Sequence, residues 1–135
     1  MKPLITFLVI LCTTTAFKFN VNPELTKKWI AMIGPYNDQC ATENAIDKNK
    51  PYKAILNMNY PENRSFQCYA ECIWWRWGFY DSETDTIDGD KIEKVIAGFT
   101  KGDTEQCFKT YKMIDDHCQK IFSTIKCCIG KLMRE

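Results

Sequence analysis

The sequence predicts one all-α domain of about six short helices. Three observations carry that prediction. Apolar residues recur at the 3.6-residue spacing of a helix along nearly the whole chain. No run sustains the period-two alternation of a half-buried strand, and neither a repeat nor a linker divides the 135 residues. Eight cysteines in so short a chain add the expectation of disulfide staples and an oxidising compartment. A formal net charge of +1 offers no field to hold a nucleic-acid backbone, and six glycines and five prolines are too few for a fibrous or disordered protein.

The first segment reads as an export signal. Lys2 supplies the positive start, Leu4 to Leu11 form an apolar core interrupted only by Thr6, and Thr14-Thr15-Ala16 presents small residues for cleavage after Ala16. The apolar run is about half of the ~20 residues that span a bilayer, and no later segment approaches that length, so no membrane association is expected. Cleavage would remove residues 1–16 with Cys12 and Lys2, leaving seven cysteines and 17 basic residues against 17 acidic ones. The secreted product is then formally neutral. Asn63-Arg64-Ser65 is an acceptor triplet for N-linked sugar at Asn63.

The helices follow in order. Asn22 caps the first, Pro23 suits its first turn, and Leu25, Trp29, Met32 and Ile33 share one face before Gly34-Pro35 is expected to stop it. A single helical turn is expected around Ala41 to Ile46. Pro51 to Met58 forms a short helix ended by Asn59-Tyr60-Pro61. From Ser65 the stripe Phe66, Tyr69, Ala70, Ile73, Trp74 and Trp77 is the strongest in the chain, with Gly78 as its stop. Asp81 to Asp88 reads as a loop. Gly89 to about Phe99 forms the next helix, with Ile92, Val95, Ile96 and Phe99 on one face. Asp103 or Thr104 caps a helix carrying Cys107, Phe108, Tyr111, Ile114 and Cys118, and the last segment holds Ile121, Phe122, Ile125, Ile129 and Leu132.

Beyond the signal the cysteines stand at 40, 68, 72, 107, 118, 127 and 128. Cys68 and Cys72 lie one turn apart on the same face of one helix, too constrained to bond each other, so each should reach a different element. Cys118 and Cys127 fall about 180° apart if one helix carries both, and they too should reach different neighbours. Many connectivities remain open on spacing alone.

The intervals, Cys40-x27-Cys68-x3-Cys72-x34-Cys107-x10-Cys118-x8-Cys127, resemble the six-cysteine signature of the insect pheromone and general odorant-binding proteins. The three- and eight-residue gaps are its most diagnostic parts. Cys40-Ala41-Thr42-Glu43, Cys68-Tyr69-Ala70-Glu71-Cys72 and the following Gly78-Phe79 resemble that family as well, and the likeness runs from about Leu25 to Ile129. The resemblance implies the pairing Cys40–Cys72, Cys68–Cys118 and Cys107–Cys127. Two features depart from the pattern: the interval of 34 is slightly short, and Cys128 is a seventh cysteine. Either Cys127 or Cys128 is placed to make the last bond, and the eight-residue gap favours Cys127. The leftover thiol is then buried, capped, or joins two chains.

The resemblance further implies a helical cup around an apolar cavity that binds small hydrophobic or amphipathic molecules. Trp29, Phe66, Tyr69, Ile73, Trp74, Trp77, Ile96, Phe99, Phe108, Tyr111 and Phe122 are the candidate lining. The competing reading of such stripes is a filled core serving a protein-interaction domain. Within Trp74-Trp75-Arg76-Trp77 the middle ring points about 100° away from its neighbours. With Tyr69 and Asp115 or Asp116, these rings are candidates to cage a cationic amine. Gly78-Phe79-Tyr80-Asp81 also resembles a salivary branch of the same superfamily, which implies scavenging of host amines or lipid mediators with an anti-haemostatic effect.

Catalysis is not expected. His117 stands beside Asp115, Asp116 and Cys118, but the glycine-rich calcium loop of a secreted phospholipase has no counterpart here, and no GxSxG, P-loop or HExxH occurs. Oxidised cysteines suit neither a Cys–His nucleophile nor zinc, and no cofactor or metal is implied. The expected protein is a secreted, monomeric or weakly dimeric binder, with Cys128 as one possible link between chains and His117 or the tail after Cys128 as a gate. Odorant or pheromone carriage leads, with the salivary role as the alternative.

Overall fold

The computed structural model describes residues 16–133 and is helical throughout its core. Six helices, α1 (Pro23–Glu43), α2 (Lys50–Asn57), α3 (Arg64–Trp77), α4 (Gly89–Val95), α5 (Lys101–Tyr111) and α6 (His117–Leu132), are joined by short connections. Strand β1 (Ala16–Lys18) pairs antiparallel with β2 (Asn59–Pro61), and β3 (Tyr80–Asp81) with β4 (Thr86–Ile87). The all-α expectation therefore holds, with two small ribbons added. The export signal falls outside the described residues except for Ala16, which opens β1.

Side-chain caps set most helix starts. Asn22 Oδ1 accepts from the Glu24 N–H, Asn63 Oδ1 from that of Phe66, and Asp116 Oδ1 from that of Gln119. At the end of α3, Gly78 takes φ +80°, while the Phe79 and Gly78 N–H groups donate to the Trp74 and Trp75 carbonyls. That closure needs a residue without a Cβ, which is why Gly78 stops the helix as expected.

Four boundaries differ from the sequence reading. Helix α1 does not stop at Gly34-Pro35 but runs through Pro35 to Glu43, absorbing the turn expected at Ala41 to Ile46. A mid-helix proline forfeits about 3 kcal/mol. Here Trp29, Ile33, Asn37, Cys40 and Ala41 are all buried on one face, and Cys40 is bonded to α3, so tertiary packing overrides the break. Helix α4 ends at Val95 rather than Phe99. Ile96 is extended, Gly98 takes φ +87°, and the Ala97 carbonyl accepts from the Trp29 indole instead of continuing the helix. Thr100, not Asp103 or Thr104, caps α5, its Oγ1 accepting from the Asp103 N–H. Cys118 belongs to α6, because the Asp116 cap opens a new helix after the chain turns at Met113, which is 90% exposed. The segment read as a loop, Asp81 to Asp88, holds the β3–β4 hairpin.

Three disulfides tie the bundle: Cys40–Cys72 joins α1 to α3, Cys68–Cys118 joins α3 to α6, and Cys107–Cys127 joins α5 to α6. This is the pairing the resemblance implied, and Cys68 and Cys72 do leave α3 in different directions. The bonds close loops of 32, 50 and 20 residues, worth about 3 to 4 kcal/mol each on chain entropy. Among the described residues Cys128 is the free cysteine, buried with its thiol facing Thr104 Oγ1 of α5 at 3.7 Å. Burial pushes that thiol up to about 11.

Asp85 ties the β3–β4 hairpin to the bundle, beside the buried Tyr80 ring that packs on Phe108 and His117. Asp85 accepts from the Tyr80 hydroxyl at 2.8 Å and from Lys120 Nζ at 2.7 Å, and its backbone carbonyl accepts from Lys112 Nζ. Lys120 is itself 3% exposed. Burial works to raise the Asp85 carboxyl, but the Lys120 and Tyr80 hydrogen bonds and the two lysine charges outweigh it and hold the group below its ordinary value.

Candidate ligand-binding cavity

The helices do not meet solidly at the centre. A cavity of ≈ 80 Å³, measured at the centres of water-sized spheres, lies between α1, α2, α3 and α6. On that measure about 10–15 Å³ holds one water, so the space takes a multi-atom guest. Trp29, Met32 and Ile33 of α1 form one side; Tyr69, Ala70, Ile73 and Trp74 of α3 form the opposite one. Phe122, Ile125 and Ile129 of α6, Ile55 and Met58 at the end of α2, Tyr60 of β2, and Ile96 and Phe99 from the α4–α5 connection complete the wall. No charged side chain belongs to it. The staples fix this wall: α3 is bonded to α1 through Cys40–Cys72 and to α6 through Cys68–Cys118, which sets these three elements in place around the space.

Two polar groups of the wall are turned to the protein. The Trp29 indole donates to the Ala97 carbonyl at 2.8 Å, and the Tyr69 hydroxyl donates to Asn37 Oδ1 at 2.6 Å. Asn37, fully buried, donates in turn to the Lys48 carbonyl at 2.8 Å, which fixes the approach to α2. Burial pushes the Tyr69 and Tyr60 hydroxyls well above their ordinary range, so both stay protonated. The inner surface is otherwise mostly hydrocarbon and aromatic face, which binds by exclusion from water.

Seven of the eleven candidate lining residues meet here: Trp29, Tyr69, Ile73, Trp74, Ile96, Phe99 and Phe122. Four stand away from the wall. Phe66 packs edge-on behind Tyr60, Trp77 stacks flat on Phe79 while donating to the Met32 carbonyl, and Phe108 lies against Tyr80. Tyr111 lines a separate, open depression with Glu62, Gln67 and Lys126. Sequence reasoning missed Met32, Ile33, Ile55, Met58, Tyr60, Ala70, Ile125 and Ile129. Met32, Ile33, Ile125 and Ile129 share helical faces with Trp29 and Phe122, so extending those stripes would have found them.

The amine cage is not assembled. On α3 Trp74 enters the wall, Trp75 is 50% exposed under the Arg76 guanidinium, and Trp77 turns to Phe79. The 100° step between neighbours sends the three rings apart. Asp116 is occupied in capping α6 and in an ion pair with Arg64, and Asp115 is exposed. His117 opens α6 with its ring edge-on to Tyr80. Nearby, burial raises the Glu71 carboxyl above its ordinary value, with His117 opposing the rise and Asp116 adding to it. Among the described residues no group of three or more His, Cys, Asp or Glu side chains is placed to hold a metal ion, and no helix is long and apolar enough to cross a membrane.

Comparison with known proteins agrees with this geometry. The PBP/GOBP family model matches residues 22–131, which span every helix but the last residue of α6 and all three disulfides. The chain belongs to the PBP/GOBP family. Among curated relatives, it is 28% identical to general odorant-binding protein 99b of Drosophila melanogaster, over 94% of this chain and 90% of that one. No solved structure gives a significant match. Within this PBP/GOBP chain, the buried thiol of Cys128 is an addition to the six bonded cysteines.

Proposed function

We propose that the protein carries a small, neutral, apolar guest through an extracellular fluid, without chemistry on the guest. The observation that carries this reading is the void bounded by apolar side chains, within a bundle tied by three disulfides. The curated relative's name denotes odorant binding, and the same class of guest is proposed here: a volatile of modest size. Seven cavity-lining candidates, from Trp29 to Phe122, are proposed as its contacts. Capture is driven by apolar burial at about 25 cal/mol per Å².

The void speaks against a filled interaction core, and the lack of a carboxylate in the wall speaks against a scavenger of cationic amines, since an unpaired buried charge is strongly disfavoured. A monomer is proposed, because a disulfide through Cys128 would require prying α6 from α5. Export with cleavage after Ala16 completes the reading; the mature chain would then begin at Phe17, within β1. The test is uptake of the fluorescent probe N-phenyl-1-naphthylamine by the secreted protein. Displacement by volatile esters and ketones, with biogenic amines inert, is the expected pattern. Displacement by amines or eicosanoids alone would favour the salivary role, and no uptake would return the filled core.

A further inference from the structure

The wall's hydrogen-bond donors can be followed one by one. The Trp29 N–H is taken by the Ala97 carbonyl and the Tyr69 O–H by Asn37. Trp77, just behind the wall, gives its N–H to the Met32 carbonyl. Trp74 differs. Its ring lines the cavity and is 2% exposed, with Phe79 edge-on at 5.7 Å, yet among the described residues its indole N–H has no acceptor. Among the described residues the fully buried polar atom left without a partner is Arg76 Nε, not Trp74 Nε1, so the Trp74 N–H keeps access to open space and is free to take an acceptor there.

We infer that the cavity selects an apolar guest bearing one neutral hydrogen-bond acceptor, a carbonyl, ester or ether oxygen, to which Trp74 Nε1–H donates. The inference rests on the carrier reading above and names the guest's polar group. A pure hydrocarbon leaves the donor unmet. A carboxylate would bring a full charge into a wall without a counter-charge, and an ammonium has no acceptor to offer. Trp74 is thus a specificity-determining residue, while the rest of the wall supplies affinity.

The test compares cyclohexanone with methylenecyclohexane, which differ in C=O against C=CH₂, in wild type and Trp74→Phe, by displacement of N-phenyl-1-naphthylamine. The ratio of the two affinities, compared between proteins, cancels the guests' different hydration. It should fall about tenfold in Trp74→Phe, the worth of one neutral hydrogen bond, because the lost ring contact is common to both guests and drops out of the ratio. Trp75→Phe, which alters a half-exposed indole outside the wall, should leave the ratio unchanged. A ratio unmoved by Trp74→Phe, or moved by Trp75→Phe instead, overturns the assignment but not the carrier reading. Failure of the wild type to take up probe and both guests overturns the carrier reading itself. Should Trp74→Phe not fold, the wild-type protein still decides: cyclohexanone must shift the Trp74 Nε1–H resonance downfield and methylenecyclohexane must not.

Discussion

Filling the cavity should abolish binding without harming the fold, and Ala70→Leu is the substitution to do it. Ala70 is 7% exposed in the middle of α3 and faces the void. An empty space of ≈ 80 Å³, at ~24 cal/mol per Å³, costs the folded state about 2 kcal/mol. Leucine adds three carbons, whose burial is worth about 2.4 kcal/mol at ~0.8 per methylene, against about 1–3 kcal/mol for any overpacking. Leucine also suits a helix interior. The net expectation is a change in unfolding free energy between about −0.6 and +1.4 kcal/mol, read from urea titration of tryptophan fluorescence. Binding of N-phenyl-1-naphthylamine should weaken at least tenfold, about 1.4 kcal/mol. Ile73→Val is the companion: it enlarges the space, costs about 0.5–1.5 kcal/mol and should retain the probe. Two results would refute the reasoning. Unchanged probe affinity in Ala70→Leu would place the guest elsewhere, and a loss of stability beyond about 2 kcal/mol would mean that the interior had no room to give.

Other expectations follow from the staples, the hairpin and the surface. Replacing both Cys68 and Cys118 by serine should lower stability by about 4 kcal/mol, from the 50-residue loop released; a loss under 1 kcal/mol in denaturant melts would show that packing alone holds α3 to α6. The Asp85 carboxyl sits below its unfolded value, so its contribution is complete above about pH 4 and fades as pH falls through the folded value, whereas Glu71, raised by burial, works in the opposite sense. Asp85→Asn should therefore remove about 2–3 kcal/mol at pH 7, discounted for the 30% exposure of the aspartate, and flatten the acid limb below about pH 4; parallel limbs in pH-dependent melts would contradict this. The Cys128 thiol, pushed up to about 11, should resist iodoacetamide at pH 8 in the native protein and react on unfolding, and rapid native labelling would show that the α5–α6 seam opens. Sugar at Asn63 is expected on the exported protein, since the residue is exposed and only its Oδ1 is used in the cap. Ser65→Ala and Asn63→Asp should both abolish a deglycosylation mass shift while keeping the helix start; its absence from the wild type would rule the sugar out.

How much of this was legible beforehand depends on whether the signal was local. The stripe from Phe66 to Trp74 and the Asn63 and Gly78 ends of α3 could be read directly, because caps and periodicity act within a turn or two. The separate routes of Cys68 and Cys72 followed from helix geometry, while their partners needed the family signature. Pro35 misled the reading because its local penalty is outweighed by α3 and the Cys40 bond, which lie far away in sequence. Ile96 and Phe99 stand at the cavity, but not on the helix face from which the stripe was read. They reach it from an extended connection that Trp29 holds through the Ala97 carbonyl, not from a helix face. Ile55, Met58 and Tyr60 were illegible, since nothing near them in the chain tells that α2 and β2 fold over the gap between α1 and α3. Conversely Trp77 and Phe108 lie on apolar faces but spend them on Phe79 and Tyr80, and a single stripe cannot say which of its neighbours it meets.

The most direct measurement is a crystal of the oxidised protein pressurised with xenon, which enters apolar voids and is located by its own scattering. A xenon site bounded by Trp29, Ile73 and Phe122, with no ordered water there before pressurisation, is the predicted result. An interior that admits no xenon, or one already filled by hydrogen-bonded water, would contradict the hollow bundle on which the carrier reading stands.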